Sequence, residues 1–267
     1  MTFEDINSFG EALEKMLNEV LDFDIRNPFN DVKKVLCIEP HPDDCVIGIG
    51  GTIKKLVESG IEVVYVCMTD GSMGTLEFID PHELALIRKK EEEQSASILG
   101  VKKILWLNYS DTQLPYTAEV RNTLVRIIRA EKPDIVLAPD PWLPYESHPD
   151  HRITGFLAIE SVSFAGLPNF SKSDIIVGLE AYQVSGVGFY YTHRPNYFVD
   201  ITDVMDLKLK AIRTHKSQFT DNIWEQWEPF LRTTALYYGE KAGVKYAEGL
   251  RFVPGIFLHI APFSELI

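Results

Sequence analysis

Cysteine is scarce in this chain, with three residues in 267, and their placement argues against a disulfide framework. Cys37 and Cys67 fall inside apolar, strand-like runs, and Cys45 stands beside two aspartates. Isolated thiols of this kind suit a reducing compartment. Basic residues are also few. Against 39 Asp and Glu there are 26 Lys and Arg, a net charge of -13, and a surface of that sign repels a nucleic-acid backbone. No apolar run reaches the length that spans a bilayer, and the first residues lack the basic-then-apolar layout of a secretion signal. Low-complexity tracts, fixed-period repeats and a dividing linker are all missing. What remains is an ordinary globular composition, 45% hydrophobic and 24% charged. The expectation is a cytoplasmic protein of a single domain over residues 1–267, with neither nucleic acid nor membrane as partner.

What is present is alternation. Residues 1–30 read as an amphipathic helical extension, with Phe9, Leu13, Leu17, Val20 and Leu21 on one stripe and Asn27-Pro28 closing it. Apolar runs at 35–38, 62–68, 103–107 and 135–138 read as buried parallel strands. Helical patterns separate and follow them at 48–60, 82–99, 118–131 and 147–164. Residues 165–187, rich in Gly, Ser, Pro and Asn, read as a flexible or substrate-facing loop. Strands at 189–192 and 197–201, helices at 203–216 and 223–238, and a last strand at 256–260 complete the pattern. The fold class is α/β: a Rossmann-like, mainly parallel sheet flanked by helices, with additional C-terminal strands and helices.

One stretch organises the rest. The first strand ends in Pro40-His41-Pro42-Asp43-Asp44, and the same tripeptide returns after the fourth strand as His148-Pro149-Asp150, followed by His151. In open α/β sheets, chemistry collects at the carboxyl ends of strands, so the two loops read as halves of one site. Three protein ligands of His and carboxylate type, with a position left for water, make a catalytic Zn²⁺ centre. His41, Asp44 and His151 supply such a set, one ion per subunit, and the two-His, one-carboxylate pattern also suits Fe(II). Asp43 then stays free as a general base, because a base that is itself a ligand loses basicity. The plainer alternative is that both aspartates merely cap the helix that follows. A dinucleotide-binding protein is a rival from another class, since Gly48-x-Gly50 follows a strand. Ile53 occupies the place of the third glycine, however, and two carboxylates there would repel a pyrophosphate.

These residues resemble the LmbE-like, or PIG-L-like, N-acetylglucosaminyl deacetylases. The family's first motif, commonly Ala-His-Pro-Asp-Asp-Glu, reads here Pro40-His41-Pro42-Asp43-Asp44-Cys45, and its second stands as His148-Pro149-Asp150-His151. Weaker similarities are Thr69-Asp70-Gly71, Arg88-x-x-Glu91, Asp111, Lys208-x-x-Ala211, His215-x-Ser217-Gln218 and Ala247-Glu248-Gly249. The resemblance implies zinc on His41, Asp44 and His151, with Asp43 as base. It implies His148 as an acid or oxyanion stabiliser, and Arg88 and Asp111 as contacts to a sugar. The expected substrate is a small N-acetylated amino sugar, most simply N,N'-diacetylchitobiose, and the expected assembly is a homo-oligomer, a trimer or hexamer. A thiol-cofactor precursor is the alternative substrate.

The aromatic third quarter, with Trp142, Tyr145, Tyr190 and Tyr191, resembles the archaeal diacetylchitobiose deacetylase branch. There a late histidine reaches the site, and His259 matches it, although a histidine in an apolar run is often a core residue. Trp142 and Tyr145 either stack on a sugar ring or pack their loop down. Cys45, in place of the usual glutamate, is read as a buried neighbour rather than a fourth ligand, since catalysis needs an open position. Arg88, within Arg88-Lys89-Lys90-Glu91-Glu92-Glu93, reads without the resemblance as one member of a solvated, ion-paired helix face.

Overall fold

The computed structural model describes residues 8–16, 26–171, 174, 176–262 and 264. The sheet has seven strands: β1 (Lys34–Glu39), β2 (Glu62–Thr69), β3 (Lys103–Tyr109), β4 (Ile135–Pro139), β5 (Gly186–Tyr190), β6 (Tyr197–Asp200) and β7 (Ala247–Pro254). Their spatial order is β3-β2-β1-β4-β5-β7-β6. The first five run parallel, with Cys37 opposite Tyr65 on one side and Leu137 on the other, and β7 is antiparallel to both β5 and β6. Helices α2 (Asp44–Glu58), α3 (Pro81–Leu99), α4 (Ala118–Glu131) and α5 (Pro149–Ala165) form the crossovers, preceded by α1 (Phe9–Lys15). Helices α6 (Met205–Ile212) and α7 (Asp221–Ala242) follow β6.

The central strands form because they are buried on both faces. Val35, Leu36 and Ile38 are fully enclosed, and each such aliphatic side chain contributes roughly 1.5–3 kcal/mol of transfer free energy. Helix α4 shows the amphipathic logic plainly. Val120, Leu124, Val125 and Ile128 face inward, Thr117 accepts from Val120 N at the start, and Lys132 in a left-handed conformation ends it. Winding reverses between β1 and β4: the chain leaves β1 toward β2 and leaves β4 toward β5. That reversal opens a crevice at the carboxyl ends of β1 and β4, where both histidine loops emerge.

Several boundaries differ from the sequence expectation. Helix α2 begins at Asp44 rather than near Gly48, so the second aspartate is already helical. The last strand is Ala247–Pro254, and the expected strand at 256–260 is replaced by a 3-10 turn, Gly255–Leu258. Glycine and arginine interrupt the apolar pattern of β7, and its two antiparallel neighbours, not local periodicity, define it. The described residues of the loop after α5 pack toward α4 and the amino end of β4 rather than the site. Its Asp174 pairs with Arg126 and Arg129 of α4, and Ser185 N donates to Asp134 O at the amino end of β4. In the amino-terminal extension, Phe9 is half-exposed and Leu13 packs on the core, while Leu17, Val20 and Leu21 lie outside the described residues. Among the described residues, no helix is long and apolar enough to cross a membrane.

Candidate active site

The turn after β1 is pinned before it does any chemistry. Thr69 N and Oγ1, at the end of β2, both donate to Pro40 O, at 3.0 and 2.8 Å. His41 then points into the crevice. Its Nε2 donates to Asp150 Oδ2 at 3.3 Å and lies 3.1 Å from Asp111 Oδ1, off the direction of a hydrogen bond. Asp150 also accepts from Thr112 N at 2.7 Å and Leu114 N at 3.3 Å, which fixes its carboxylate. Nδ1 of His41 donates in turn to Asp44 Oδ2 at 3.1 Å, so both ring nitrogens face carboxylates, and it is Nδ1 that would give up its proton to a metal while Nε2 keeps its bond to Asp150. The other oxygen, Asp44 Oδ1, is 3.4 Å from His151 Nε2. One carboxylate therefore stands between two imidazoles, and this N/O donor set fits a divalent metal. A carboxylate that orients a ligating ring from behind is a common partner in such sites, and Asp150 has that geometry toward His41.

His151 is placed by proximity and stacking, with no hydrogen bond on its Nδ1 among the described residues. Glu146 Oε2 is 3.4 Å from its Nδ1, and its ring stacks on Tyr191 at 5.9 Å and 8°. Tyr191 Oη in turn donates to Asp44 O at 3.1 Å. Ring nitrogens of His41, His148 and His151 all lie within 4.8 Å of one another, and a second grouping joins His41 and His148 to Asp111 and Asp150. That second grouping uses the Nε2 side of His41, where Asp150 is already taken by two backbone N–H groups.

Charge follows from this packing. Burial alone would lower the His41 pKa, but Asp111, Asp150 and Asp44 outweigh it and push it well above the usual imidazole value. Burial would raise Asp44, but His151 and His41 together hold it well below the carboxylate range. Asp43 goes the other way. Burial and the Asp44 charge push it up to about 7, against the opposing pull of Arg88. The neighbouring aspartates are thus driven apart, the pattern expected of a ligand and a base.

Asp43 does not cap the helix. It sits at the position before α2 with φ 130° and ψ -21°, and its side chain makes no cap hydrogen bond. That backbone geometry is strained for any residue but glycine. Asp43 Oδ2 instead accepts from Arg88 Nη2 at 3.1 Å. Arg88 is 3% exposed, not on a solvated face, and its guanidinium also donates to Pro42 O at 2.8 Å and Gly71 O at 2.9 Å. Gly71 and Gly74 press on it so closely that a Cβ at either would lie 2.8 or 2.3 Å from the guanidinium. The helix face that looks ion-paired in sequence is turned inward here, and even Glu92 is fully buried.

His148 begins α5, where its Nδ1 accepts from Asp150 N at 3.3 Å. That bond assigns the remaining proton to Nε2, which points toward Asp111 Oδ1 at 4.0 Å. Burial, with His41 and His151 nearby, lowers its pKa, so at neutral pH it is an uncharged N–H donor. Asp111 joins the crevice to the loop after β2 by accepting from Met73 N at 3.0 Å, and its carboxyl is held at about 2. Burial opposes that lowering, and the His41 contact dominates it.

The structure does not gather every expected residue here. Trp142 is 58% exposed, packed edge-on against Phe156 and Phe189, and Tyr145 is fully exposed. His259 is exposed at the end of the 3-10 turn, not in a strand, and belongs to neither donor grouping. Cys45 is fully buried beside the thiol of Cys37, and burial pushes its pKa well up. Its backbone N–H donates to Glu39 Oε2 at 3.0 Å, so a strand-end carboxylate caps this turn. The glycine run after the aspartates has no room for a phosphate. Gly51 N and Thr52 N, where a dinucleotide would bind, donate to Glu248 at 2.9 and 2.6 Å. Sequence reading missed Asp150, Glu146 and Tyr191 as members of the site. Asp150 stands out in the sequence only as part of the second histidine motif, with no partner indicated, and Tyr191 carries no signal beyond its aromatic ring.

Comparison with known proteins agrees with this geometry. A family described as PIG-L, GlcNAc-PI de-N-acetylase, matches residues 36–162, which include both histidine loops. The chain is 66% identical to a diacetylchitobiose deacetylase of Thermococcus kodakarensis, over 100% of both chains. It is 28% identical to a probable N-acetyl-alpha-D-glucosaminyl L-malate deacetylase 2 of Bacillus anthracis, over 72% of this chain and 84% of that one. Among solved structures, an N,N'-diacetylchitobiose deacetylase from Pyrococcus horikoshii, complexed with an inhibitor, superposes with a TM-score of 0.95 at 68% identity. That match covers 99% of this chain and 100% of the other.

Proposed function

The chain belongs to the PIG-L deacetylase family, and from that premise we propose that it removes the N-acetyl group from N,N'-diacetylchitobiose, releasing acetate. The observation that carries this reading is the division of the aspartate pair. Asp44 lies between His41 and His151, whereas Asp43 is held by Arg88 with no cap bond. Identity of 66% to the Thermococcus deacetylase against 28% to the Bacillus malate-conjugate deacetylase favours the chito-disaccharide over a thiol-cofactor precursor.

His41, Asp44 and His151 are read as the metal ligands, with Zn²⁺ as the ion favoured by their N/O donor chemistry. When bound there, the ion supplies Lewis-acid polarisation of the acetyl carbonyl and acidifies water. The protein's own groups do the rest. Asp43 accepts the proton of the attacking water and returns it to the leaving amine. His148, with its proton on Nε2, donates to the oxyanion. Asp111 and Asp150 hold His41 from behind, and Arg88 sets both the position and the acidity of Asp43. The expected trimer or hexamer is part of this reading. Trp227, Phe230 and Tyr237 leave exposed aromatic surface on α7, of a kind subunit contacts use, and sedimentation velocity tests it.

The experiment is acetate release from diacetylchitobiose, before and after chelation and with Zn²⁺ restored, alongside an N-acetylated amino acid. Turnover of the disaccharide alone, abolished by chelation and recovered with metal, is expected. Equal turnover of the amino acid would overturn the substrate assignment, and indifference to chelation would overturn the metal.

A further inference from the structure

Helix α2 is two pieces rather than one. Its first turn carries Asp44 and is closed by Ile47 N donating to Asp43 O at 3.0 Å. At Ile49 the backbone leaves helical geometry, with φ -140° and ψ 24°, before the helix resumes. Such a break frees N–H groups from the helical ladder, and buried free N–H groups need an acceptor. Gly51 and Thr52 find theirs in Glu248 of β7, a residue nearly two hundred positions away in sequence. Lys208 of α6, itself buried, donates to the same carboxylate at 2.6 Å and balances its charge. The approach is close. A Cβ at Gly51 would lie 2.6 Å from Ile201 Cγ2 and 3.1 Å from Glu248 Oε1. On the other side of the break, Gly48 packs on Tyr190 and Tyr191, and Tyr191 Oη binds Asp44 O. The first turn is thus clamped in front by tyrosine and behind, across the kink, by glutamate.

From this arrangement we infer that Glu248 is a positioning residue for Asp44, and so for metal affinity, acting through the kink in α2. The inference rests on the reading of Asp44 as a ligand. Asp44 lies five residues before the break at Ile49, about 7.5 Å along a helix, so a rotation of about 10° at the kink moves its backbone by about 1.3 Å. Metal–ligand distances tolerate only about 0.2 Å. A small loss of angular definition is therefore enough to weaken the site without unfolding the helix. Lys208 is the counter-charge that makes a buried carboxylate tenable at that spot, since burying an unpaired charge is costly.

The test compares the full-length wild type with Glu248→Ala, Glu248→Gln and Asp44→Ala. Metal affinity is measured by chelator competition with Zn²⁺, and ligand geometry by the visible spectrum of the Co²⁺-substituted protein. Glu248→Ala should lower affinity by about 10- to 100-fold, the usual effect of losing an outer partner of a ligand, and alter the Co²⁺ spectrum. Glu248→Gln keeps one amide oxygen for the N–H groups and for Lys208, so it should fall between wild type and Ala. It also carries the test if Glu248→Ala does not fold. Excess metal should restore turnover in both. Wild-type affinity and an unchanged spectrum in the folded Glu248 variants, with only a lower Tm, would overturn the inference. If Asp44→Ala itself keeps wild-type affinity, the ligand reading is what has failed.

Discussion

Replacing Arg88 by methionine separates two things the guanidinium does: hold the charge of Asp43, the proposed base, and support the loop around it. Methionine fills similar volume but carries no charge. Arg88 lies 3.1 Å from Asp43 Oδ2 in a buried setting, and it is the largest influence lowering the Asp43 pKa. An opposite charge at that range lowers a carboxylate by about 1–3 units. A general base works only when ionised, so removing the charge raises the Asp43 pKa and moves the acidic limb of activity toward alkaline pH. A bound metal lowers that pKa in both proteins and leaves the difference between them. The assay is kcat/KM for diacetylchitobiose against pH, which reports ionisations of the free enzyme. We expect the acidic limb to rise by about 1–3 pH units, with much of the lost rate recovered above it. Stability should fall by about 3–5 kcal/mol, because a buried pair is broken and Pro42 O and Gly71 O lose their donor. Arg88→Lys should restore part of the limb position but not the forked contacts. An acidic limb that stays in place while only KM rises would refute this reasoning and reduce Arg88 to a substrate contact.

Asp43→Asn should lower kcat by about 10²–10⁴-fold with metal content unchanged, checked by single-substrate kinetics beside elemental analysis. Asp44→Asn should instead lose metal and be partly rescued by added Zn²⁺; the reverse pattern would exchange the two roles. Glu92 is pushed up to about 8 from an ordinary 4.5, chiefly by burial and then by Asp43. The folded state therefore holds a proton that the unfolded chain releases, and this contribution to stability is lost as pH rises from 4.5 toward 8. Glu92→Gln should remove that dependence and gain on the wild type most at the alkaline end. Denaturant midpoints at about pH 5 and about pH 8 measure it, and an equal difference at both would contradict the assignment.

The parallel half of the fold was legible because strands buried on both faces leave continuous apolar runs, as Val35–Ile38 and Ile135–Ala138 do. The histidine loops were legible because His-Pro-Asp occurs twice at equivalent places. What escaped had its cause far along the chain. Strand β7 is specified by its neighbours β5 and β6, and its own glycine and arginine obscure it. Arg88 and Glu92 sit in a run of alternating charge that local rules send to solvent, yet the loop after β2 closes over Arg88. Asp150 stands in the first turn of α5 beside His148, while the partners of its carboxylate, His41, Thr112 and Leu114, lie about 36 to 109 positions away. Helix α2 was placed too late because Pro42 and the glycines look like a loop. Only the tertiary clamp on Asp44 and the Glu248 acceptor make that segment helical with a break in it.

The backbone at Asp43 has an evolutionary consequence. A φ of 130° is where glycine is at ease and every other residue carries strain, about 1–3 kcal/mol. Drift toward glycine at this position would relieve that strain, yet it would leave the Arg88 guanidinium buried without its carboxylate, a loss of about 3–5 kcal/mol that exceeds the relief. The ion pair therefore holds the strained turn in place, and folding as well as the proposed catalysis retains aspartate there. The same pairing warns the engineer. A procedure that scores backbone geometry alone would put Asp43→Gly near the top, and would lose the buried pair and the proposed base together.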